Sequence, residues 1–532
     1  MTAPAPLVGI GYRHPIGDWI CAHLDCFDVL EVTVDHYLYG GSQIRGAIEA
    51  LARRIPIVAH GVRLSLGTDA ALDEGYVREV AHAVRLLRAP RYSEHLAFTN
   101  VPGLDLANLL PLPKTPELAD WVADKVRRVR SLLPVPFDLE NISYLFDWPD
   151  SSMTDRQFLT AVCKAADVGI LLDVENVYVN ACNHDFDAVA MLAEIPAGLV
   201  RGMHIAGGFS SGEVLVDGHD HSVPEGALDL LGRALARFRP DTLVLERDDR
   251  IEAFDEILAD VARIRECVAR HPEEAGPRTP APSPHSPRAL VDLPLIERQR
   301  ALLVFLTNPR AARDAVALAG LDSNRLRLVR DLSVEKRLDK IRASFPITLN
   351  RLDQPLDALC ADFAAEFPPY DIGRAENAQQ FAAYLVGLWE RTPPYHAYLP
   401  DVVKIELAMT LARRAFNDTA AEPPRNARPA VRRTPSTQLL RCDHDVRPLF
   451  GPSPGAGKPT PREVWLAVLP PAPGEESASV TPRVLEISAE LHAALLALTE
   501  WQPYDGTDPL GIGAPPEIAE RLIDVGVLEV AS

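Results

Sequence analysis

In GILLDVENVYVNACNH, Gly169 to His184, a short apolar run is cut off by an acid and followed closely by amides and an imidazole. Gly169–Leu172 reads as a buried strand; Asp173, Glu175, Asn176, Asn180, Asn183 and His184 then crowd what reads as one loop. A strand that hands oxygen and nitrogen donors to its end places ligands rather than core. The pattern repeats on either side. Eight strands are expected: Leu7–Ile10, Val29–Val34, Ile57–Val62, Ser93–Leu96, Phe137–Glu140, Gly169–Asp173, Val200–His204 and Thr242–Glu246. Between them, Ala71–Leu87, Pro116–Leu132 and Phe254–Val268 carry apolar residues at helical spacing, and Thr154 is placed to cap a helix running to Ala166. Strand and helix alternating over this length predict an α/β fold, a (β/α)8 TIM barrel over residues 1–270. An open doubly wound sheet would carry a glycine-rich first turn, and Gly9-Ile10-Gly11-Tyr12-Arg13-His14 is not GxGxxG.

Beyond the barrel the composition shifts. Residues 271–289 are proline-rich and read as a linker. Helical periodicity then fills 290–420, in Leu302–Leu306, Ala311–Leu318, Leu326–Ile341, Leu356–Phe363, Ala378–Trp389 and Val402–Phe416. After a second apolar-poor stretch, Ala420–Ser436, residues 437–532 read as a small α+β, winged-helix-like domain. Its expected strands are Val464–Leu469 and Arg483–Ile487, and its expected helices Ala489–Thr499 and Pro516–Val525. At 532 residues several domains are expected. A formal charge of −20 argues against a nonspecific nucleic-acid binder. No apolar run reaches the roughly 20 residues that cross a bilayer, and Met1-Thr2-Ala3-Pro4 does not open a secretion signal. Seven scattered cysteines fit neither a disulfide framework nor a CxxC zinc site, so the cytoplasm is the expected compartment.

In such a barrel, chemistry gathers where strands end. The second strand leads to Asp35 and His36, the third carries His60, and the fourth ends in Glu94 and His95. The fifth ends in Glu140 and Asn141, and the sixth supplies Asp173, Asn176 and His184. The seventh ends in His204, with Asp217, His219 and His221 in the loop beyond; the eighth ends in Glu246 and Asp248. Any one of these reads as well as a structural residue. Together, so many carboxylates at one mouth need a cation to hold them. Imidazole mixed with carboxylate and amide, without thiolate, suits iron, manganese or zinc. There are ligands enough for two or three ions, with Glu140 placed to bridge. Glu140, Asp173, Glu175 and Asp248 are the candidate catalytic carboxylates.

The motifs also resemble a known family. They are His60-Gly61-Val62 with Ser65-Leu66-Gly67, Ser93-Glu94-His95, Leu139-Glu140-Asn141, Asp173 through Asn180, Asn183-His184, His204-Ile205-Ala206-Gly207, Asp217-Gly218-His219 and Glu246-Arg247-Asp248. In order and spacing they are similar to those of the multinuclear non-heme iron-dependent oxidative enzymes. The resemblance implies a (β/α)8 barrel that uses two or three irons and O2 to modify a cysteine, or less often an aspartate or asparagine, in a ribosomally made precursor peptide. It assigns His60, His95 and Glu140 to one iron, and Asp173, His204 and Glu246 to another that shares Glu140. Asn176, His184, Asp217 and His219 would form a third site. Two positions depart from the family: Gly208 where a second histidine is common, and Glu175 where asparagine is common.

Arg337–Phe345, Phe363, Phe367-Pro368, Phe381–Leu388 and Asp401–Ala408 resemble the helical partner protein of these enzymes, and Arg441–Val530 its peptide-binding module. That implies a partner fused in cis, tethered by the linker, which would capture the peptide on a sheet edge at Val464–Leu469 or Arg483–Ile487. Two alternatives stay open: a hydrolytic or isomerising metalloenzyme of the xylose isomerase or endonuclease IV kind, and a non-catalytic peptide-binding scaffold.

Overall fold

The computed structural model describes residues 5–270, 293–352, 354–370, 373–417, 429–451, 457–470, 483–504, 510–511 and 515–531. The expected linker therefore lies outside the described residues.

All eight expected strands form, each within a residue or so of its predicted ends: β1 (Leu7–Gly11), β2 (Val29–Thr33), β3 (Ile57–Gly61), β4 (Tyr92–His95), β5 (Phe137–Glu140), β6 (Gly169–Asp173), β7 (Val200–Ile205) and β8 (Thr242–Leu245). They pair in parallel and close as β1-β8-β7-β6-β5-β4-β3-β2, the predicted TIM barrel. Side chains alternate across each strand. One set, including Leu30, Val32, Leu139, Ile170, Leu172, Met203 and Leu245, packs outward into the core shared with the helices. The other points inward, where Val29, Val58 and Val244 form a small apolar plug. Two residues further along those same three strands stand Glu31, His60 and Glu246. The inward face thus changes from apolar to ligand-bearing within one pleat.

Helix caps explain the spacing between strands. The Thr154 hydroxyl accepts from Gln157 N while the Gln157 side chain returns to Thr154 N, starting Asp155–Ala166. Thr115 caps Pro116–Leu132, and Asp73 caps Glu74–Leu87.

The segment after β6 is a helix, Val174–His184, not the expected loop. Asp173 is its N-cap and accepts from Asn176 N at 2.6 Å. Residues 176, 180 and 183 then share one face. Asn176 donates to Asn141 O, Asn180 donates to Ile142 O and accepts from Tyr144 N, and Asn183 pairs with both backbone groups of Leu215. The amides fasten the helix to neighbouring loops.

Two compact units are present. The first comprises Met1–Leu306 and Ala311–Asp331, the second Thr307–Arg310 and Leu332–Ser532. Residues 271–292 therefore connect two parts of the first unit. Within it, Leu295–Leu306 and Ala311–Asp331 lie on loops that follow β3 to β6. Arg298 grips Asp150 with two bonds of 2.8 Å. Gln299 bonds Gly67 O and Asp69 N, and Arg325 bonds Leu145 O and Asn183 O. Leu302, Leu303, Leu306, Leu318, Leu321 and Leu326 join the barrel's own core. Ala311–Leu318, expected as a helix, is coil and turn, because the Asp314 carboxylate accepts the amides of Val316 and Ala317 and turns the chain locally.

The second unit holds the helices Leu356–Glu366, Arg374–Arg391 and Leu399–Asn417, followed by small antiparallel sheets. Val464–Leu469 is central in its sheet, between Gln438–Cys442 and Arg483–Ile487. Its backbone is paired on both sides, so among the described residues only Arg483–Ile487 of the two expected capture strands is an edge. Gln438–Cys442 and Ala430–Arg433 are strands that periodicity did not reveal. No helix among the described residues is long and apolar enough to cross a membrane.

Candidate metal centre

Two groups of side chains meet at the inner rim of the barrel. In His60, His95 and Glu140, one ligand atom from each lies within 4.8 Å of the others; the same holds for Glu140, Asp173, His204 and Glu246. Glu140 belongs to both. Its Oε2 is 3.4 Å from His60 Nε2 and 3.3 Å from His95 Nε2, while its Oε1 is 3.0 Å from His204 Nδ1. Glu246 Oε2 lies 3.1 Å from that same nitrogen. Every residue of the two groups is buried.

A third cluster sits on the loop after β7. His219 Nε2 is 2.8 Å from Asp217 Oδ1, its Nδ1 is 3.2 Å from Asp248 Oδ2, and Ser143 donates to Asp217 Oδ2. Glu175, at the start of its helix, lies near Asp217 and His219, and Asn176 beside it bonds Asn141 O. His184 does not face this cluster. It lies eight residues beyond Asn176 on one helix, about 12 Å along the axis. There its Nε2 bonds Tyr144 O at 2.9 Å, and its ring lies 4.6 Å from that of Tyr144. The expected fourth member of the third site is a structural residue of the helix end.

Acceptors without donors mark the centre. Glu140 Oε2, Asp173 Oδ2, Glu175 Oε2 and Asn176 Oδ1 are buried with no hydrogen-bond partner, and Asp217 Oδ1 and His219 Nε2 lie 2.8 Å apart. Leaving so many buried acceptors unmet costs on the order of 1–3 kcal/mol each, and one kind of group satisfies them together, a cation. Without one, protons serve. Burial pushes the Asp173 carboxyl well above its ordinary range, helped by Asp217 and Glu140, and Glu175 rises to about 9 from burial and Asp217. Burial would lower His95, yet Glu140 and Glu94 lift it to about 9. His204 and His219 are likewise raised against the pull of burial by the carboxylates around them. His60 goes the other way, lowered by burial and by His95 and His204, so its nitrogen is a free lone pair. Lone pairs, carboxylates and one amide oxygen fit iron, manganese or zinc. Cys182 is exposed and takes no part.

Two residues here escaped the sequence reading. Glu31, in the middle of β2, bonds His204 Nε2 at 2.7 Å; the sign was a lone acid inside the apolar run Val29-Leu30-Glu31-Val32. Arg13, past the end of β1, pairs with Asp248. Burial raises the Asp248 carboxyl, but Arg13 and His219 outweigh it and hold it low. Asp35, by contrast, is occupied structurally by Tyr76 OH and Val62 N. At Gly208 a Cβ would stand 2.1 Å from Val216 O and 3.2 Å from Gly218 N. The backbone leading to Asp217 fills the space that a histidine would need there.

Comparison with known proteins covers the same half of the chain. A family model described as "RiPP precursor modification enzyme MbnB/TglH/ChrH" matches residues 7–269. A UPF0276 protein of Caulobacter vibrioides is 33% identical over 265 residues, 49% of this chain and 95% of that protein. One of Acaryochloris marina is 34% identical over 263 residues, 49% of this chain and 95% of its own. A longer one, from Streptomyces avermitilis, is 33% identical over 277 residues, 51% of this chain and 56% of that protein. Among solved structures, D-psicose 3-epimerase with D-fructose aligns at 15% identity and a TM-score of 0.33, covering 50% of this chain and 96% of that one. Endonuclease IV from Thermus thermophilus aligns at 14% identity and a TM-score of 0.33, covering 50% and 99%. With its barrel matched from β1 to the last helix, the chain belongs to the MbnB/TglH/ChrH family of RiPP precursor modification enzymes.

Proposed function

We propose that this chain is an iron- and O2-dependent enzyme that oxidises a cysteine, or an aspartate or asparagine, in a ribosomally made precursor peptide. The observation that carries this reading is Glu140, one carboxylate shared by two buried ligand groups, with its Oε2 left without a donor. His60, His95 and Glu140 would hold one ion, and Asp173, His204, Glu246 and Glu140 a second. Asn176, Asp217 and His219 would serve a third. Bound there, iron supplies Lewis acidity toward a substrate side chain and one-electron chemistry toward O2.

The chain's own groups set the conditions. Burial of both ligand groups keeps bulk water from the centre. His95 donates Nδ1–H to Gly61 O at 3.2 Å, leaving Nε2 directed inward. Asp248, oriented by Arg13, stands beside His219 Nδ1 and holds a proton there, so Nε2, facing Asp217, is the nitrogen that an ion would take. Among the described residues the edge strand Arg483–Ile487 has a neighbour on one side only, which suits it to add a peptide as a further strand and so recruit substrate in cis.

Metal analysis of the chain purified without added metal tests the reading. It predicts iron at two or more per chain, and O2 consumption only when a substrate peptide is present. Stoichiometric zinc with no O2 uptake sinks it.

A further inference from the structure

Each histidine of the two ligand groups is held from behind, but not through the same ring nitrogen. His60 Nδ1 meets Ser93 Oγ at 2.9 Å, and that hydroxyl is committed as a donor to Ala59 O. His95 Nδ1 meets Gly61 O. His95 Nδ1 also has Glu94 Oε1 at 3.4 Å; all of these partners accept, so both rings carry their proton on Nδ1 and turn Nε2 toward Glu140. His204 is reversed. Its Nδ1 faces Glu140 and Glu246 at 3.0 and 3.1 Å, and its Nε2 lies 2.7 Å from Glu31 Oε2. Glu31 and His204 are both buried. Glu31 sits on β2, well away in the barrel circuit from β7, and crosses the interior to reach the ring.

We infer that Glu31 is a positioning residue: it fixes His204 as the Nε2–H tautomer, so that this histidine, alone of the three, offers Nδ1 to the metal centre. A carboxylate behind a ligating imidazole orients the ring and makes its free nitrogen a stronger donor. The carboxylate is not spare structural charge. It lies near Glu140 and Glu246, a like-charged neighbourhood that an apolar residue would relieve, and the His204 ring is what it contacts in return. The inference rests on the metal-centre reading above.

The test uses the full chain with Glu31→Leu and Glu31→Gln, measuring anaerobic Fe2+ uptake against a competing chelator. Zn2+ serves as a diamagnetic probe for long-range 1H–15N spectra of labelled histidine, with His204→Gln giving the assignment. The wild-type Zn2+ form should show His204 protonated at Nε2. Glu31→Leu should bind its weakest tightly held Fe2+ about 10–100-fold less well, while the metal-free variant melts at or above the wild-type temperature. A merely structural role would instead lower that melting temperature and leave metal affinity alone. Glu31→Gln keeps an acceptor without the charge and should fall between the two. It decides alone if the leucine variant does not fold, an unchanged affinity then overturning the inference. A His204 ring bound through Nε2, or affinity in Glu31→Leu within twofold of wild type, also overturns it. If the wild-type chain takes up no metal, the metal-centre reading itself fails.

Discussion

At the scale of single residues the centre is a contest between protons and metal. His95 is lifted from 6.5 to about 9 because Glu140 and Glu94 outweigh the cost of burying its charge. A base whose folded pKa exceeds its unfolded one stabilises the fold fully below the unfolded value, and that contribution is lost as pH rises through the folded value. Glu175, raised from 4.5 to about 9, has the same sign. The metal-free chain should therefore lose on the order of 3 kcal/mol from each of the two groups between pH 6.5 and 9, read from urea denaturation at several pH values. Glu140→Gln should flatten the slope, and saturating metal should do the same, since an ion then holds the lone pair that the proton held. A metal-free chain equally stable at both ends of that window would show that these groups do not carry the charge assigned to them. Legibility at this scale follows strand position. His60, His95, Glu140, Asp173, His204 and Glu246 could be found because each lies at or just beside a strand's end, where an acid or imidazole interrupts apolar sequence. Glu31 could not, since it stands mid-strand and only the closure of the barrel brings it to His204. His184 misled because sequence proximity to Asp173 became about three helical turns of separation.

Among elements, the helix Val174–His184 does most to fix the rim. Its first turn presents Glu175 and Asn176, and its polar face holds the chain after β5. Asn180 is the central fastening, buried and bonded at 2.9 Å to both Tyr144 N and Ile142 O. Asn180→Ala strands one donor and one acceptor and should cost about 1–3 kcal/mol for each buried group left unpaired. The loop it frees carries Asn141 and Ser143, the latter bonded to Asp217, so metal affinity should fall alongside stability. Paired denaturation and metal-binding measurements check this; lost stability with unchanged affinity would mean that the loop does not position the centre. The eight strands were readable because buried parallel strands are continuous apolar runs bounded by polar residues. The short strands Ala430–Arg433 and Gln438–Cys442 were not, because Arg432, Arg433 and Arg441 break any apolar run and pairing comes only from distant segments.

For the molecule as a whole, the first compact unit does not stop where the barrel does. Composition draws a boundary at the proline-rich stretch after Arg270, yet Leu295–Leu306 and Ala311–Asp331 return to the first unit. Periodicity cannot say which core a helix joins; the contacts of Arg298, Gln299 and Arg325 do. Those contacts fall on the loops at Gly67–Asp69 and Leu145–Asp150, beyond the ends of β3 and β5, the strands that carry His60 and Glu140. A chain ending at residue 270 should still close its barrel, since the relative from Caulobacter vibrioides is matched over 95% of its length by this half alone. It would leave Asp150 and Trp148, both buried here, without the guanidinium that pairs with one and lies 4.6 Å from the ring of the other. Removing one partner of a buried ion pair costs about 3–5 kcal/mol, enough to loosen the loop rather than the fold. Amide exchange at 67–69 and 145–150 should therefore rise sharply in a chain ending at 270 and return to the full-length level in one ending at 331, with metal affinity following the same order. Equal protection in both would mean that these loops hold themselves, and that the segment up to Asp331 covers the barrel without shaping its centre.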